Sequence, residues 1–400
     1  MTHPTNADYR RGPIAMSHHA PNRRSALRLA LAGVGLSTLR SGGTLLADPE
    51  GLKPLAIGAK APDFDLPGVD GMNHRLADFA SSPVLAVVFT CNHCPTAQAY
   101  EDRLMKLSAD YKAKGVALVC ISPNDDKALR LDELGFTDVS DSLADMKIRA
   151  ADRKFDFPYL YDGETQKVAL AYGCLATPHV FVFDKERNLR YQGRFDDAEV
   201  GPVKSHDTIN AIEAILAGKE VPVTTTRVRG CSTKWSDKRS QAAEHLAKCD
   251  AEPVSLEKAD LKTIAAIARN DSKKYLLVNL WATWCGPCVA ELEEFVTMHR
   301  MYRKRDFELI TISVDSLDDM PKTAAALKEH HASCRNYIFA GKSQDDLADT
   351  LDKDWPGPVP HTVLIAPGGK IVFRKTGEIE PLALRRILAD KLGRTYGPRG

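Results

Sequence analysis

The sequence predicts an α/β protein of two similar domains in tandem. Twice, an apolar strand-like run leads into a Cys-x-x-Cys pair and then a helix pattern: Pro83 to Phe89 before Cys91-Asn92-His93-Cys94, and Tyr275 to Trp281 before Cys285-Gly286-Pro287-Cys288. Each pair is followed downstream by a proline, a histidine and another apolar run, at Thr177-Pro178-His179 and Val359-Pro360-His361. Four hundred residues are too many for one ordinary core and suit two domains plus extras. Recurrence of the whole order is firmer evidence of duplication than either motif alone. The net charge of +1 gives no support to a nucleic-acid partner. Nine cysteines suit an exported chain that handles disulfides, and the odd number leaves at least one free or paired with another chain.

Residues 1–47 read as an export segment. Arg23-Arg24 precede an apolar run, Leu29 to Leu39, that is too short to span a bilayer. Asn22 to Arg28 resembles a twin-arginine signal, which implies the periplasm or cell envelope of a bacterium; a disordered basic tail is the plainer reading.

The first domain is expected over residues 52–218. Its first strand, Pro83 to Phe89, is apolar and β-branched, as a buried strand should be. A helix follows from Ala97 to Lys114, with Tyr100, Leu104, Leu107 and Tyr111 at helical spacing. The strand Val116 to Ser122 would bury Cys120. After Pro178, Leu189 to Gln192 reads as a paired strand and Thr208 to Leu216 as the closing helix. His93 sits between Cys91 and Cys94, so its charge or hydrogen bonding bears on both thiols. Cys174 is either buried packing or a thiol that resolves a disulfide from the pair.

Residues 219–252 form a connector in which periodicity dissolves and basic residues lead into Gly230-Cys231 and Trp235. Cys231 is the candidate for an extra redox cysteine or relay, with a Cys231–Cys249 staple as the structural alternative.

The second domain is expected over residues 253–395. A helix from Val289 to Arg303 puts Cys285 at its first turn, where unpaired N–H groups and the helix dipole favour a thiolate. Pro287 is tolerated there and fixes the geometry of the pair. Half of a zinc site is the competing reading, but residues 289–400 supply only Cys334, not a second close pair. Phe307 to Val314 reads as a strand, Pro367-Gly368-Gly369 as a turn, Lys370 to Lys375 as the returning strand and Pro381 to Leu392 as the closing helix.

Trp284-Cys285-Gly286-Pro287-Cys288 resembles the thioredoxin family, and residues 253–395 resemble its exported, TlpA-like members. Ile57 to Leu66 resembles the opening segment of the peroxiredoxin-like (AhpC/TSA-type) branch. Cys91 to Pro95 with Tyr100 to Leu104 resembles a group of exported redoxins, over most of residues 55–235. The resemblance implies two thioredoxin-fold domains, each a central mixed β-sheet flanked by helices. It implies that Pro178 and Pro360 are cis and that Thr177 and Val359 offer backbone to a substrate strand. Cys285 would attack a disulfide and Cys288 resolve it, with Cys91 and Cys94 in the same two roles. Gly286, Pro287 and His93 would set the redox poise; His93 resembles the Cys-Pro-His-Cys of oxidising proteins, so electrons would run from the second domain to the first, with Cys231 as relay. Asn279 stands where thioredoxin has a buried acid, and Glu291 is either an acid serving the site or part of a solvated helix face.

The function so implied is a thiol–disulfide oxidoreductase acting on thiol- or disulfide-bearing proteins. A membrane electron donor is a further candidate partner, and no cofactor or metal is needed because the cysteines carry both electrons. Two alternatives stay open. Cys94-Pro95-Thr96 resembles the motif of thiol peroxidases, although Thr90 lies four residues ahead rather than three, and Cys91, His93 and Cys94 are all ligands for soft metals such as copper.

Overall fold

Two mixed β-sheets organise the chain, and the computed structural model describes residues 51–397 of it. The expected export segment lies outside those residues. In chain order the first half contains a small hairpin, β1 (Asp65–Pro67) and β2 (Asn73–Arg75), then β3 (Val84–Phe89), α1 (Pro95–Tyr111), β4 (Val116–Ser122), α2 (Leu143–Arg153), β5 (Tyr159–Tyr161), α3 (Lys167–Tyr172), β6 (Ala176–Thr177), β7 (His179–Phe183), β8 (Leu189–Gly193) and α4 (Asp207–Leu216). The sheet order is β5-β4-β3-β7-β8, with β3 to β5 parallel and β7 and β8 antiparallel. Every residue of β3 is buried, as its unbroken apolar run predicts. Val84, Ala86 and Val88 pack with Tyr100 and Leu104 of α1, while Leu85, Val87 and Phe89 pack with Tyr172 and Phe181.

The second half contains β9 (Cys231–Ser232), α5 (Arg239–Asp250), β10 (Glu257–Ala259), α6 (Leu261–Arg269), β11 (Tyr275–Trp281), α7 (Gly286–Tyr302), β12 (Phe307–Ser313), α8 (Met320–Glu329), β13 (Arg335–Phe339), α9 (Gln344–Leu351), β14 (His361–Ile365), β15 (Ile371–Thr376) and α10 (Pro381–Leu392). Its sheet runs β10-β13-β12-β11-β14-β15. Leu276, Val278 and Leu280 of β11 face α6 and α9; Leu277 and Trp281 face α7, so Asn279 between them also points under α7. Among the described residues no helix is long and apolar enough to cross a membrane.

The connector is more ordered than its sequence suggests. α5 buries only Ala242 and Cys249, too little to leave a periodic signal. β9 pairs antiparallel with β6, with Thr177 opposite Cys231. No pattern in two residues foretells such a long-range pairing.

The two domains dock through residues 129–138 of the first. Leu134 is buried in the core formed by α7, β12 and α10. Gly135 approaches so closely that a Cβ there would lie 2.9 Å from the Met301 carbonyl. Tyr302 donates its hydroxyl to the Thr137 carbonyl at 2.8 Å, Arg305 donates to the Gly135 carbonyl at 2.6 Å, and Arg386 and Arg394 both pair with Asp138. Because Leu134 fills a site in the other domain's core, Leu134→Ala should lower the stability of the whole chain by about 2–5 kcal/mol. A denaturant midpoint unchanged by the substitution would count against this anchoring.

Candidate active sites

In the second domain, β11 ends at Trp281 and α7 begins at Gly286, which leaves Cys285 as the N-cap. Its Sγ accepts from the Cys288 N–H at 3.3 Å, and the two sulfurs form a disulfide. Cys285 is only 7% exposed, against the open helix-end position the sequence suggests. The reason is local: its sulfur turns inward to Cys288, and the exposed surface falls instead to Trp284, at 65%, and to Gly286 and Pro287. The Val359–Pro360 peptide is cis, as expected, and the Val359 carbonyl oxygen lies 3.7 Å from Cys285 Sγ. Among the described residues no strand pairs with the segment before Pro360.

Below the disulfide lies a buried polar group, centred on Glu291 and Asn279. Glu291 is buried rather than solvated, one helical turn after Cys288. It accepts from Asn279 Nδ2 at 3.3 Å and from the Ile379 N–H at 3.1 Å. Burial outweighs these bonds and pushes its carboxyl up to about 7. Asn279 Nδ2 also donates to Thr362 Oγ1 at 3.2 Å, while its Oδ1 has no hydrogen-bond partner among the described residues. The pairing of an amide at Asn279 with an acid at Glu291 was the available signal.

In the first domain, Thr177–Pro178 is likewise cis. Cys91 Sγ lies 3.0 Å from Thr177 Oγ1, and Cys94 Sγ 3.2 Å from the Thr177 carbonyl oxygen. Both thiols are free and buried. His93 is buried too, and its Nδ1 lies 2.6 Å from Asp141 Oδ2. Asp141 also accepts from the N–H groups of Asn92 and His93 at 2.9 and 3.0 Å and from Asn124 Nδ2 at 2.7 Å. Burial works against both charges, yet the pair favours them: His93 is raised above 6.5 and Asp141 is held below the usual carboxylate range. Burial also opposes a thiolate at Cys94, but hydrogen bonds with Cys231 and Cys91, the charge of His93 and the Ala97 amide bring it well below an ordinary thiol. Burial, then Cys94 and Asp141, push the Cys91 thiol well up. Ligand atoms of Cys91, His93 and Asp141 fall within 4.8 Å of one another, a set that differs from the copper alternative by Asp141 in place of Cys94. Since His93 Nδ1 and Asp141 face each other in a short hydrogen bond, the arrangement reads as a histidine–carboxylate pair.

The two pairs are not in register. Phe89 pairs with His179 in the first sheet, and Leu280 with His361 in the second. Five residues on from each stands the helix N-cap, which is Cys94 in one case and Cys285 in the other. Cys94 is therefore the counterpart of Cys285; Ala97 takes the place of Cys288, and Cys91 lies where the second domain has Ala282. The identical Cys-x-x-Cys spelling conceals a shift of three residues, because a short motif carries no information about where its helix starts.

Of the remaining cysteines, Cys231 packs against Cys91, Cys94 and Ala97 and hydrogen-bonds with Cys94, which with burial pushes its own thiol up. Cys174 is buried in the core and lies 3.6 Å from Thr233 Oγ1, outside that sulfur cluster. Cys249 accepts from Arg303 at 3.1 Å, so the Cys231–Cys249 staple is not formed. Cys120 is buried in its strand as expected.

Comparison with known proteins bears on this geometry. The chain resembles the thiol-disulfide oxidoreductase ResA of Oceanobacillus iheyensis, 26% identical over 98 residues, covering 24% of this chain and 47% of that protein. It also resembles ResA of Bacillus subtilis strain 168, 27% identical over 109 residues, covering 26% and 54%. The chain thus spans about half the length of these curated relatives. Among solved structures, a hypothetical protein of Sinorhizobium meliloti 1021 is 36% identical and aligns over 46% of this chain and 97% of its own, with a TM-score of 0.42. A putative thiol:disulfide interchange protein DsbE of Chlorobium tepidum is 24% identical over 40% of this chain and 99% of its own, with a TM-score of 0.32. The AhpC/TSA family model matches residues 57–192 and again residues 247–374, one match on each sheet, so the chain belongs to the AhpC/TSA family and carries its domain twice.

Proposed function

We propose that the protein is an exported thiol–disulfide oxidoreductase whose second domain exchanges disulfides with protein substrates. The observation that carries this is the Cys285–Cys288 disulfide at the start of α7, set beside Pro360 and a Val359 backbone that no strand pairs among the described residues. In the reduced form the Cys285 thiolate attacks one sulfur of a substrate disulfide and releases the other as a thiolate. Cys288 then attacks Cys285, closing the enzyme disulfide and freeing the substrate dithiol. The proton lost by Cys288 passes to Glu291, a buried acid poised near neutrality. Val359 holds the substrate as an added strand, and Trp284 with Pro287 forms an exposed lip for it. Export rests on Arg23-Arg24 and the apolar run after it.

In the first domain we assign the attacking role to Cys94 rather than Cys91, because Cys94 is the N-cap residue and its thiolate is the favoured one. His93, held by Asp141, supplies the positive charge beside it.

Cys285→Ser should abolish reduction of a protein disulfide such as that of insulin. Cys288→Ser should instead accumulate a mixed disulfide through Cys285, visible on a non-reducing gel; trapping in Cys285→Ser through Cys288 would reverse the assignment. A carboxyl at about 7 predicts that single-turnover reduction by the second domain gains rate as pH rises through 7 and Glu291 becomes a base. Glu291→Gln should lose that inflection and run about 10²-fold slower above it. Stability has the opposite sign. The raised pKa favours the folded, protonated acid, a contribution complete below the ordinary 4.5 and lost as pH rises through about 7. Melting temperatures of Glu291→Gln should therefore fall less than those of the parent chain between pH 5 and 8.

A further inference from the structure

The backbone ahead of cis Pro178, where this fold would take a substrate strand, is already occupied. β9 pairs with β6 so that Cys231 lies opposite Thr177, and it comes from the chain's own connector. The approach depends on Gly230: its φ is +153°, and a Cβ there would lie 2.0 Å from the Thr177 carbonyl oxygen and 3.0 Å from the Pro178 nitrogen. The connector is fastened on both sides of this contact. Thr226 Oγ1 bonds with the Tyr191 hydroxyl at 2.7 Å. Beyond Cys231, the Lys234 N–H donates to Asn124 Oδ1 at 2.8 Å, Lys234 Nζ pairs with Glu133 at 2.7 Å, and Trp235 is buried in the core. A segment held this way is not a passing visitor.

Accessibility sorts the three thiols. Cys91 and Cys94 are sealed, at 3% and 0% exposure. Cys231 lines an open cleft with Arg227, Arg229, Thr96 and Glu199, a cleft that neither Cys91 nor Cys94 reaches.

We propose that the connector strand is a tethered substrate of the first site, and that Cys231 is the thiol through which that site exchanges disulfides with other molecules. The proposal rests on the reading of Cys94 as an exchanging thiol. An outside disulfide RSSR enters the cleft, and Cys231 attacks it while giving its proton to the Cys94 thiolate with which it hydrogen-bonds. The Cys231–SR bond forms, the S–S bond of RSSR breaks, and one RS⁻ leaves; the proton now on Cys94 goes to the second RSH in the next step. Cys94 then attacks the Cys231 sulfur, forming Cys94–Cys231 and releasing the second RSH. Cys91 next attacks Cys94, forming Cys91–Cys94 and breaking Cys94–Cys231; the proton of Cys91 ends on Cys231, with no further oxidation. The strand that fills the edge is thus also the route to the sealed pair.

The test uses the full chain, reduced, exposed to glutathione disulfide, quenched in acid and mapped by mass spectrometry. Wild type should pass through Cys94–Cys231 to Cys91–Cys94, and Cys91→Ser should stop at Cys94–Cys231. Cys231→Ser should oxidise the Cys91–Cys94 pair roughly tenfold more slowly or worse. Gly230→Ala, which keeps every thiol but displaces the strand, should slow formation of Cys94–Cys231 likewise. Oxidation of Cys231→Ser at the wild-type rate would overturn the proposal, as would Cys91→Ser carrying glutathione on Cys94 with Cys231 free. Only first-site peptides are read, so inactivity of the Cys285–Cys288 pair toward protein disulfides leaves the test intact. First-site thiols that stay reduced throughout would overturn both the tethered strand and the exchange role of Cys94.

Discussion

Asp141 is the buried charge on which the first site depends. Its carboxylate accepts four hydrogen bonds, two of them from the backbone of the Cys91–Cys94 loop and one from the His93 ring. The fourth donor, Asn124, uses its other side-chain atom to hold the connector at Lys234. One anion therefore fixes the loop between the thiols, the orientation of His93 and, at one remove, the strand bearing Cys231. An unpaired buried carboxylate would cost several kcal/mol, so the arrangement stands or falls as a unit. Ser142, the next residue, accepts from the Asp145 N–H as the cap of α2, which pins the position of Asp141 itself.

The second site reaches a comparable end by other means. Its N-cap cysteine is closed by Cys288 within the same helical turn, and its buried acid is held near neutrality rather than fully charged. A carboxyl beside a positive imidazole stays ionised and can only hold charge in place. One desolvated without a cation, as Glu291 is, sits where it can take and return a proton. The two domains thus share a fold and an N-cap sulfur, while one buried acid is held ionised by a neighbouring imidazole and the other is pushed toward its neutral form by burial.

What could be read from the sequence follows from which signals are local. The strands β3 and β11, the helices after them and the prolines before β7 and β14 are each written in short stretches with clear periodicity or spacing, and the duplication made each support the other. The register of the cysteine pairs was not legible, because Cys-x-x-Cys reads alike whether its first or its second cysteine caps the helix; Pro95 directly after Cys94 was the one hint. Asp141 lies in a loop 47 residues beyond Cys94, with no motif around it, and acts only because the fold returns it there. Glu291 was visible but ambiguous, since a helix rich in acids gives no sign of which one turns inward.

The docking of the domains bears on the first site more than on the second. Leu134 is buried in the other domain, Asp138 is paired with Arg386 and Arg394, and Asp141 follows three residues later, so a single short segment joins the interface to the charge that orders the first site. On the other side the contacts gather around Tyr302 and Arg305, at the far end of α7 from Cys285. Seventeen residues of helix separate Cys285 from that end, about 25 Å at 1.5 Å per residue. The expected passage of electrons from Cys285 through Cys231 to the first pair has its first-domain half in place, since Cys231 packs against Cys91 and Cys94, while Cys285 stands at the end of α7 away from Tyr302 and Arg305. Docking acts on the first site as scaffolding, since the segment that carries Asp141 is the one anchored in the second domain.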